Sequence, residues 1–355
     1  MKKNVHTAGK SRKQKKIMLL LLELLIILLL AIALFITTKL SKIEKNKLDM
    51  NDVSINDDLS DETKEAMAHY KTIALFGLDN RSNDSLSKGN SDVIMLANID
   101  TKQHTINLVS VYRDSYLDTG NGTYQKCNAA YAKGGPEQAL SMLNTNLDLA
   151  ITDYVTVDFN AIIECVDLLG GVDITITDDE ASLMIGYMKE LNELTGHNST
   201  PPASGGTYTL DGVQACAYAR IRYGGGDDYR RTERQRTVLT AMMQKAQKSN
   251  ILTLNKLINA AFGDIQTSFS NTDLLALATK VFSYDIGDTT GFPYEKTTHK
   301  YDKIGDVVIP CDLASNVTQL HQFLFNDENY TPSATVLSNS QQIISNTGYK
   351  QGDGH

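Results

Sequence analysis

The stretch "KTIALFGLDNRSNDSLSKGNSDVIMLANID" (71–100) holds two apolar, β-branched runs, "KTIALFGL" (71–78) and "DVIMLANID" (92–100), parted by a polar loop. Both have the length and residue types of strands. "TINLVSVY" (105–112) reads as a third strand and "VDITIT" (172–177), after Gly170–Gly171, as a fourth. Between and after them lie helical patterns: "GPEQALSMLNTNL" (135–147), "FNAIIECVDLL" (159–169), "DEASLMIGYMKELNEL" (179–194) and "RTERQRTVLTAMMQKAQK" (231–248). Alternating strands and helices predict an α/β fold, an α-β-α sandwich around a central, mostly mixed β-sheet. "TGHNSTPPASGG" (195–206) is a loop, and two or three more helices and a short strand, "DVVIP" (306–310), follow residue 250. The Ser/Asn/Gln/Gly-rich end, 334–355, predicts a flexible tail.

Outward from this domain, expected over 71–333, the chain has an unusual beginning. Residues 2–16 carry seven basic side chains and no acid, and "IMLLLLELLIILLLAIALFITT" (17–38) then runs with Glu23 as its single charge. As a helix these residues span about 33 Å, enough to cross a hydrocarbon core of about 30 Å. A cleaved signal peptide has a shorter apolar stretch and a small-residue cleavage site, which Thr37–Thr38–Lys39 does not supply. The reading is an uncleaved single-pass anchor over 17–38, with the basic segment 1–16 cytoplasmic and the rest extracytoplasmic. The polar residues 39–70 read as a stalk.

The chain of 355 residues has a net charge of −8 and nine arginines against 25 lysines. Six arginines fall in "YARIRYGGGDDYRRTERQR" (218–236); Arg81 and Arg113 follow strand runs. Where charge alone is needed lysine serves; arginine suits bidentate recognition of phosphate or carboxylate oxygens. Arg220 and Arg222 would share a face if "YARIRY" were extended, while Arg231 with Gln235, and Arg230 with Arg234, share faces of a helix. Both helical pairs cannot meet one ligand, so one faces solvent or acidic partners. Asp79 and Asp92 end one strand and start the next, where open α/β sheets bind ligands, and two carboxylates with phosphate oxygens suit Mg²⁺. Alone, each Asp reads more simply as a turn residue. The four cysteines, Cys127, Cys165, Cys216 and Cys311, lack zinc-site spacing and read as buried thiols, with a disulfide outside the cell left open because sequence selects none of the three connectivities.

The series "LFGLDNR", "SDVIML", "VSVYRD", "KCNAAYAKGG", "VDLLGGVDI", "YARIRY" and "DDYRRTERQR", in order from about 71 to 247, resembles the LytR–CpsA–Psr family. The resemblance implies a membrane-anchored phosphotransferase of Gram-positive bacteria. Its donor would be a polyprenyl-pyrophosphate-linked glycopolymer, such as teichoic acid or capsule, and its acceptor peptidoglycan. It also implies that Asp79 and Asp92 hold Mg²⁺ on the pyrophosphate. Arg113, Arg220, Arg222, Arg231 and Gln235 would clamp its oxygens, Arg81 would approach from the loop, and Asp228 would be the base. Val111–Tyr112 departs from the isoleucine–proline common before Arg113, Cys127 replaces an aliphatic residue, and Lys126 matches a family position. The prenyl chain needs an apolar groove near the bilayer, for which helices 159–169 and 179–194 are candidate walls.

Two other functions use the same residues: a non-catalytic envelope scaffold that binds anionic lipid or polymer, and a hydrolase of the pyrophosphate with water as acceptor. Nucleic-acid binding is disfavoured by the acidic chain and by a cytoplasmic segment of sixteen residues, too short to fold a DNA-binding module.

Overall fold

A computed structural model describes residues 44–45, 52–78, 86, 89–222, 227–250, 252–253, 256–257, 265–270, 273, 277 and 283–354; the side chains of 44, 45, 227 and 228 lie outside it. The expected anchor (17–38), Asp79, Arg81 and the Asp228 side chain are therefore outside the described residues.

In chain order the elements are β1 (Glu44–Lys45), α1 (Asp61–Ala68), β2 (Tyr70–Leu78), β3 (Ser91–Asp100), β4 (Thr105–Val111), β5 (Tyr116–Asp118), β6 (Tyr124–Lys126) and α2 (Ala129–Leu147). Next come β7 (Asp153–Val157), α3 (Phe159–Leu168), β8 (Val172–Ile176), α4 (Asp178–Thr195), β9 (Gly206–Leu210), α5 (Gly212–Arg220) and α6 (Asp227–Gln247). The chain closes with β10 (Ile265–Thr267), β11 (Asp285–Phe292), β12 (Lys296–Tyr301), β13 (Gly305–Pro310), α7 (Leu313–Phe325) and α8 (Ala334–Thr347).

The central sheet is mixed and has the order β1-β10-β7-β2-β3-β4-β11. β2, β3 and β4 pair antiparallel, while β7 joins β2 and β11 joins β4 in parallel. Their runs are apolar throughout because both faces are covered. Ala74, Phe76, Leu78, Ile94, Leu96, Val109 and Val111 point into a core shared with α2, α7 and α8. Ile73, Met95, Ala97, Ile106 and Leu108 point the other way, where Leu239 and Met243 of α6 meet them. A separate core joins α3, α4, α5 and α6 to the β8–β9 hairpin.

Local chemistry sets the helix starts. Asp158 caps α3 by accepting the Ala161 N–H, and the pairs Thr177–Glu180 and Asp211–Gln214 form reciprocal capping boxes at α4 and α5. α2 is kinked at Gly134–Gly135, with Gly135 at φ 66°, and Pro136 starts its second segment.

Four expectations meet a different structure. Tyr218–Arg220 are helical, not extended, because the α5 capping box starts a helix that runs through Arg220. "VDITIT" joins a hairpin outside the central sheet; its place beside β2 is taken by "DYVTV" (153–157), whose Tyr154 and Thr156 are fully buried. The segment read as a stalk packs on the domain from residue 52 onward: Val53, Asn56 and Leu59 are buried, and Asn56 Nδ2 donates to Asp148. The segment read as a tail forms α8, whose Val336 and Ile343 are buried in the main core, and Ser333 caps it through the Val336 N–H.

Candidate functional site

Arg113 is the second residue after the end of β4 and is fixed by its backbone. The Tyr112 N–H donates to the Phe292 carbonyl at 2.9 Å and the Asn128 N–H to the Arg113 carbonyl at 3.1 Å. The buried Cys127 thiol donates to the carbonyls of Tyr112 and Arg113, 3.3 Å from each. Cys127 thus fills its family position as a small buried group that also satisfies backbone oxygens. Arg113 Nη1 donates to Asp92 Oδ1 at 2.5 Å, and its Nε lies 3.7 Å from Asp114 Oδ2. Asp114 Oδ1 in turn lies 3.0 Å from Lys126 Nζ. Asp92, Arg113, Asp114 and Lys126 therefore form one charge chain at the sheet's end.

A second group surrounds a cavity of about 150 Å³ on the α6 side of the sheet. Its floor includes Leu75, Gly77, Val93 and Met95; its walls include Phe159 and Ile162 of α3, Ala219 of α5, and Val238, Leu239 and Met242 of α6. Gly77 lies against Val93, where a Cβ would come within 2.9 Å of that side chain. The lining is apolar except for Asp158, Arg220 and Gln235. Arg220 closes α5 with its guanidinium carbon 5.1 Å from the Phe159 ring centroid and 5.8 Å from that of Tyr187, and its Nη2 is 3.4 Å from Glu190 Oε1. The Gln235 amide oxygen is buried without a hydrogen-bond partner among the described residues.

Of the two expected walls, helix 159–169 contributes through its first turn. Helix 179–194 does not line the cavity and instead orients α6. Glu180 Oε1 accepts from Arg234 Nε at 2.7 Å, its Oε2 accepts the Thr177 N–H, and Arg234 Nη1 reaches the Ile221 carbonyl at 3.2 Å. Beside this pair, burial pushes the Tyr218 hydroxyl up to about 12. Arg230 is exposed, so the pair facing solvent and an acidic partner is Arg230 with Arg234, while Arg231 is buried (3% exposed) and Gln235 meets the cavity. Arg222, half-buried, follows the buried Ile221.

Two chain neighbours tie the groups together: Val93, next after Asp92, lines the cavity, and so does Leu78, the last described residue before position 79. Chemically, the arrangement is an apolar chamber with an arginine and an amide in its wall, next to a strand end carrying Asp92 and Arg113. Asp92 Oδ1 is engaged by Arg113 and the carboxylate is a quarter exposed, which leaves Oδ2 for a hard cation. Sequence reasoning missed Glu180, Asp114 and the partners of Tyr112. The arginine triplet spacing of Arg231 and Arg234 was the available signal for the first; the others come from distant strands. None of the four cysteines is in a disulfide; three are buried and Cys165 is half-buried.

The description LytR_cpsA_psr family matches residues 31–302. A polyisoprenyl-teichoic acid–peptidoglycan teichoic acid transferase, TagU, of Enterococcus faecalis is 29% identical over 210 residues, 58% of this chain and 64% of that protein. The chain spans about half to two thirds of the length of the curated relatives it matches. Among solved structures, the protein gbs0355 of Streptococcus agalactiae superposes with a TM-score of 0.62 at 24% identity, covering 78% of this chain and 94% of that one. The LytR-CPS2A-psr family protein YwtF (TagT) with bound octaprenyl pyrophosphate lipid gives 0.55 at 21% identity, covering 79% and 99%. Both structural matches share the fold described above.

Proposed function

The chain belongs to the LytR_cpsA_psr family, and from that premise we propose that it is a phosphotransferase, moving a phosphate-linked glycopolymer from a polyprenyl-pyrophosphate carrier to peptidoglycan. The observation that carries this reading is the apolar cavity with Arg220 and Gln235 in its wall. A ligand matching it has a hydrocarbon end and an anionic end, as polyprenyl pyrophosphate does. The relatives named above support the same substrate: one is named for polyisoprenyl-linked teichoic acid transfer and another holds octaprenyl pyrophosphate.

In this mechanism the prenyl chain enters between β2, β3 and α6. Arg113, Arg220, Arg222, Arg231 and Gln235 hold the pyrophosphate oxygens, and Arg81 approaches them. A hydroxyl of the peptidoglycan glycan attacks the phosphorus nearer the glycopolymer. Its oxygen forms the new P–O bond, the bridging P–O bond breaks, and prenyl phosphate leaves with the electron pair. Asp228 takes the hydroxyl proton. Negative charge grows on the bridging and non-bridging oxygens, which fixed arginines stabilise without reorganising. Asp92 together with Asp79 would hold Mg²⁺, which supplies further neutralisation of the pyrophosphate charge. Residues 17–38 would anchor the enzyme as a single-pass helix, with the domain outside and its cavity within reach of lipid in the same membrane.

The test is turnover by the full-length protein in vesicles with a polyprenyl-pyrophosphate saccharide, Mg²⁺ and peptidoglycan oligomers, read by mass spectrometry. Saccharide phosphate joined to peptidoglycan, reduced at least a hundredfold by Arg113→Ala, is the expected result. Free saccharide phosphate alone would make the protein a hydrolase. Tight binding without turnover would make it a scaffold.

A further inference from the structure

Tyr112 is where this chain departs from the proline common before Arg113, and the structure gives that residue a set of neighbours of its own. Its ring meets Tyr229 of α6 at 4.7 Å between centroids, with planes at 60°. Lys296, the first residue of β12, sets its Nζ 4.6 Å from the Tyr229 centroid and 5.6 Å from that of Tyr112, and donates to the Tyr294 carbonyl at 3.1 Å. Room for the Tyr112 phenol is made by Gly291, where a Cβ would fall 2.2 Å from the hydroxyl oxygen. Two turns beyond Tyr229 on α6, Arg236 is electrostatically coupled to Tyr112. Its Nε and Nη1 are buried without a hydrogen-bond partner among the described residues.

Lys296 thus sits over the tyrosine pair, and Arg236 lies two turns along α6 on the same helix face as Tyr229. Among the described residues no carboxylate comes within ion-pair distance of Arg236 or Lys296, although the chain as a whole is acidic. Glu233, one turn back on α6, is coupled to Arg236 but makes no ion pair with it. Burial holds both cations below their ordinary pKa ranges. A half-buried cation without a counter-charge is costly unless a ligand supplies the charge. Tyr112 is buried and Tyr229 half-buried, and the Tyr229 face beside a cation suits a sugar ring bearing an oxyanion, because the aliphatic face of the sugar packs on the ring while the anion meets the cation.

We propose that Lys296, over Tyr112 and Tyr229, and Arg236, on the same face of α6 as Tyr229, form a second anion subsite that binds a sugar-linked phosphate of the glycopolymer beyond the pyrophosphate. It rests on the reading of Arg113 and its companions as the pyrophosphate clamp, of which Tyr112 is the immediate chain neighbour. It would make the enzyme select donors by the phosphate on their saccharide and not by the pyrophosphate alone.

The experiment is a calorimetric titration of the full-length protein in detergent. Pyrophosphate is titrated first; at saturation, glucose 1-phosphate, methyl glucoside and inorganic phosphate are each added. The expected result is that glucose 1-phosphate binds at least tenfold tighter than either of the other two. Arg236→Gln with Lys296→Gln should weaken it at least tenfold and leave pyrophosphate affinity within twofold. Lys296→Arg, which keeps the charge, should retain binding and guards against a folding artefact. The proposal is overturned if glucose 1-phosphate does not bind at saturating pyrophosphate, if it binds no tighter than inorganic phosphate, or if the double variant binds it unchanged. Failure of pyrophosphate itself to bind would strike the clamp instead, and glucose 1-phosphate added alone would still read the second subsite.

Discussion

The two faces of the central sheet receive the same kind of strand residue and come to different ends. On one face, α2, α7 and α8 close over Ala74, Phe76, Leu96 and Val109 in a continuous core. Its buried carboxylate is matched: Asp148, fully buried at φ 51°, accepts from Asn56 Nδ2, Tyr330 Oη, and both the N–H and Oγ of Ser333. That single carboxylate ties residues 52–59, the end of α2 and the start of α8 together. On the other face, α6 stands off from the sheet, leaves a cavity, and brings Arg236, whose Nε and Nη1 have no hydrogen-bond partner among the described residues. One face supplies stability; the other keeps unfilled space and unspent charge for a ligand. Proteins hold such strain where function needs it.

Four places on the two faces test this difference. Asp148→Ala, on the closed face, leaves several buried donors without an acceptor and should cost on the order of 3 kcal/mol. Thermal melting should fall by several degrees, with turnover per folded molecule unchanged; a loss of turnover at full stability would deny the division between the faces. Val238→Phe, on the open face, places a larger ring into the cavity. It should weaken binding of octaprenyl pyrophosphate about tenfold while stability changes by less than about 1.5 kcal/mol, and inorganic pyrophosphate affinity should hold.

The third place is His321 on α7. Its Nε2–H donates to the Leu147 carbonyl at 3.0 Å, its ring stacks 3.8 Å from Tyr330, and its Nδ1 has no partner among the described residues. Burial holds its pKa below the ordinary histidine value. Above that value, about 6.5, both folded and unfolded forms are neutral and the shift has no effect. Below it the unfolded chain takes a proton that the folded one refuses, so stability falls as pH falls. His321→Gln should therefore flatten the decline of melting temperature between pH 7 and pH 5; an unchanged slope would remove the residue from the account. Last, Arg230→Ala should change stability by no more than about 0.5 kcal/mol and turnover by less than twofold, because that side chain is exposed. A large loss of turnover would mean that the outward arginine, too, meets substrate.

Much of this was legible in residue order. The strands at 71–78, 92–100 and 105–112 announced themselves because burial on both faces makes them apolar throughout, and α4 and α6 because their apolar residues recur at helical spacing. "DYVTV" was passed over because its inward residues include Tyr154 and Thr156, which look polar until Tyr154 is seen packed against Phe76. The sheet's last strand, "DIGDTTGF" (285–292), is exposed or half-buried at every residue before Phe292 and carries little apolar signal. The segments read as stalk and tail look soluble because their polar side chains cap helices and meet Asp148, contacts that no local window reveals. The arginine clustering pointed to an anion without any fold, but Lys296 beside Tyr112 depends on β11 pairing with β4, across nearly two hundred residues.

If the open face reads both ends of one amphiphile, affinity must depend on the length of the tail. Octaprenyl pyrophosphate, a short-chain prenyl pyrophosphate, inorganic pyrophosphate and octaprenol would be titrated into the full-length protein. Each methylene buried in the cavity contributes about 0.8 kcal/mol, so octaprenyl pyrophosphate should bind at least a hundredfold tighter than inorganic pyrophosphate and than octaprenol. If inorganic pyrophosphate binds as tightly as the lipid, the cavity is only a packing defect beside an anion site, and the account is wrong.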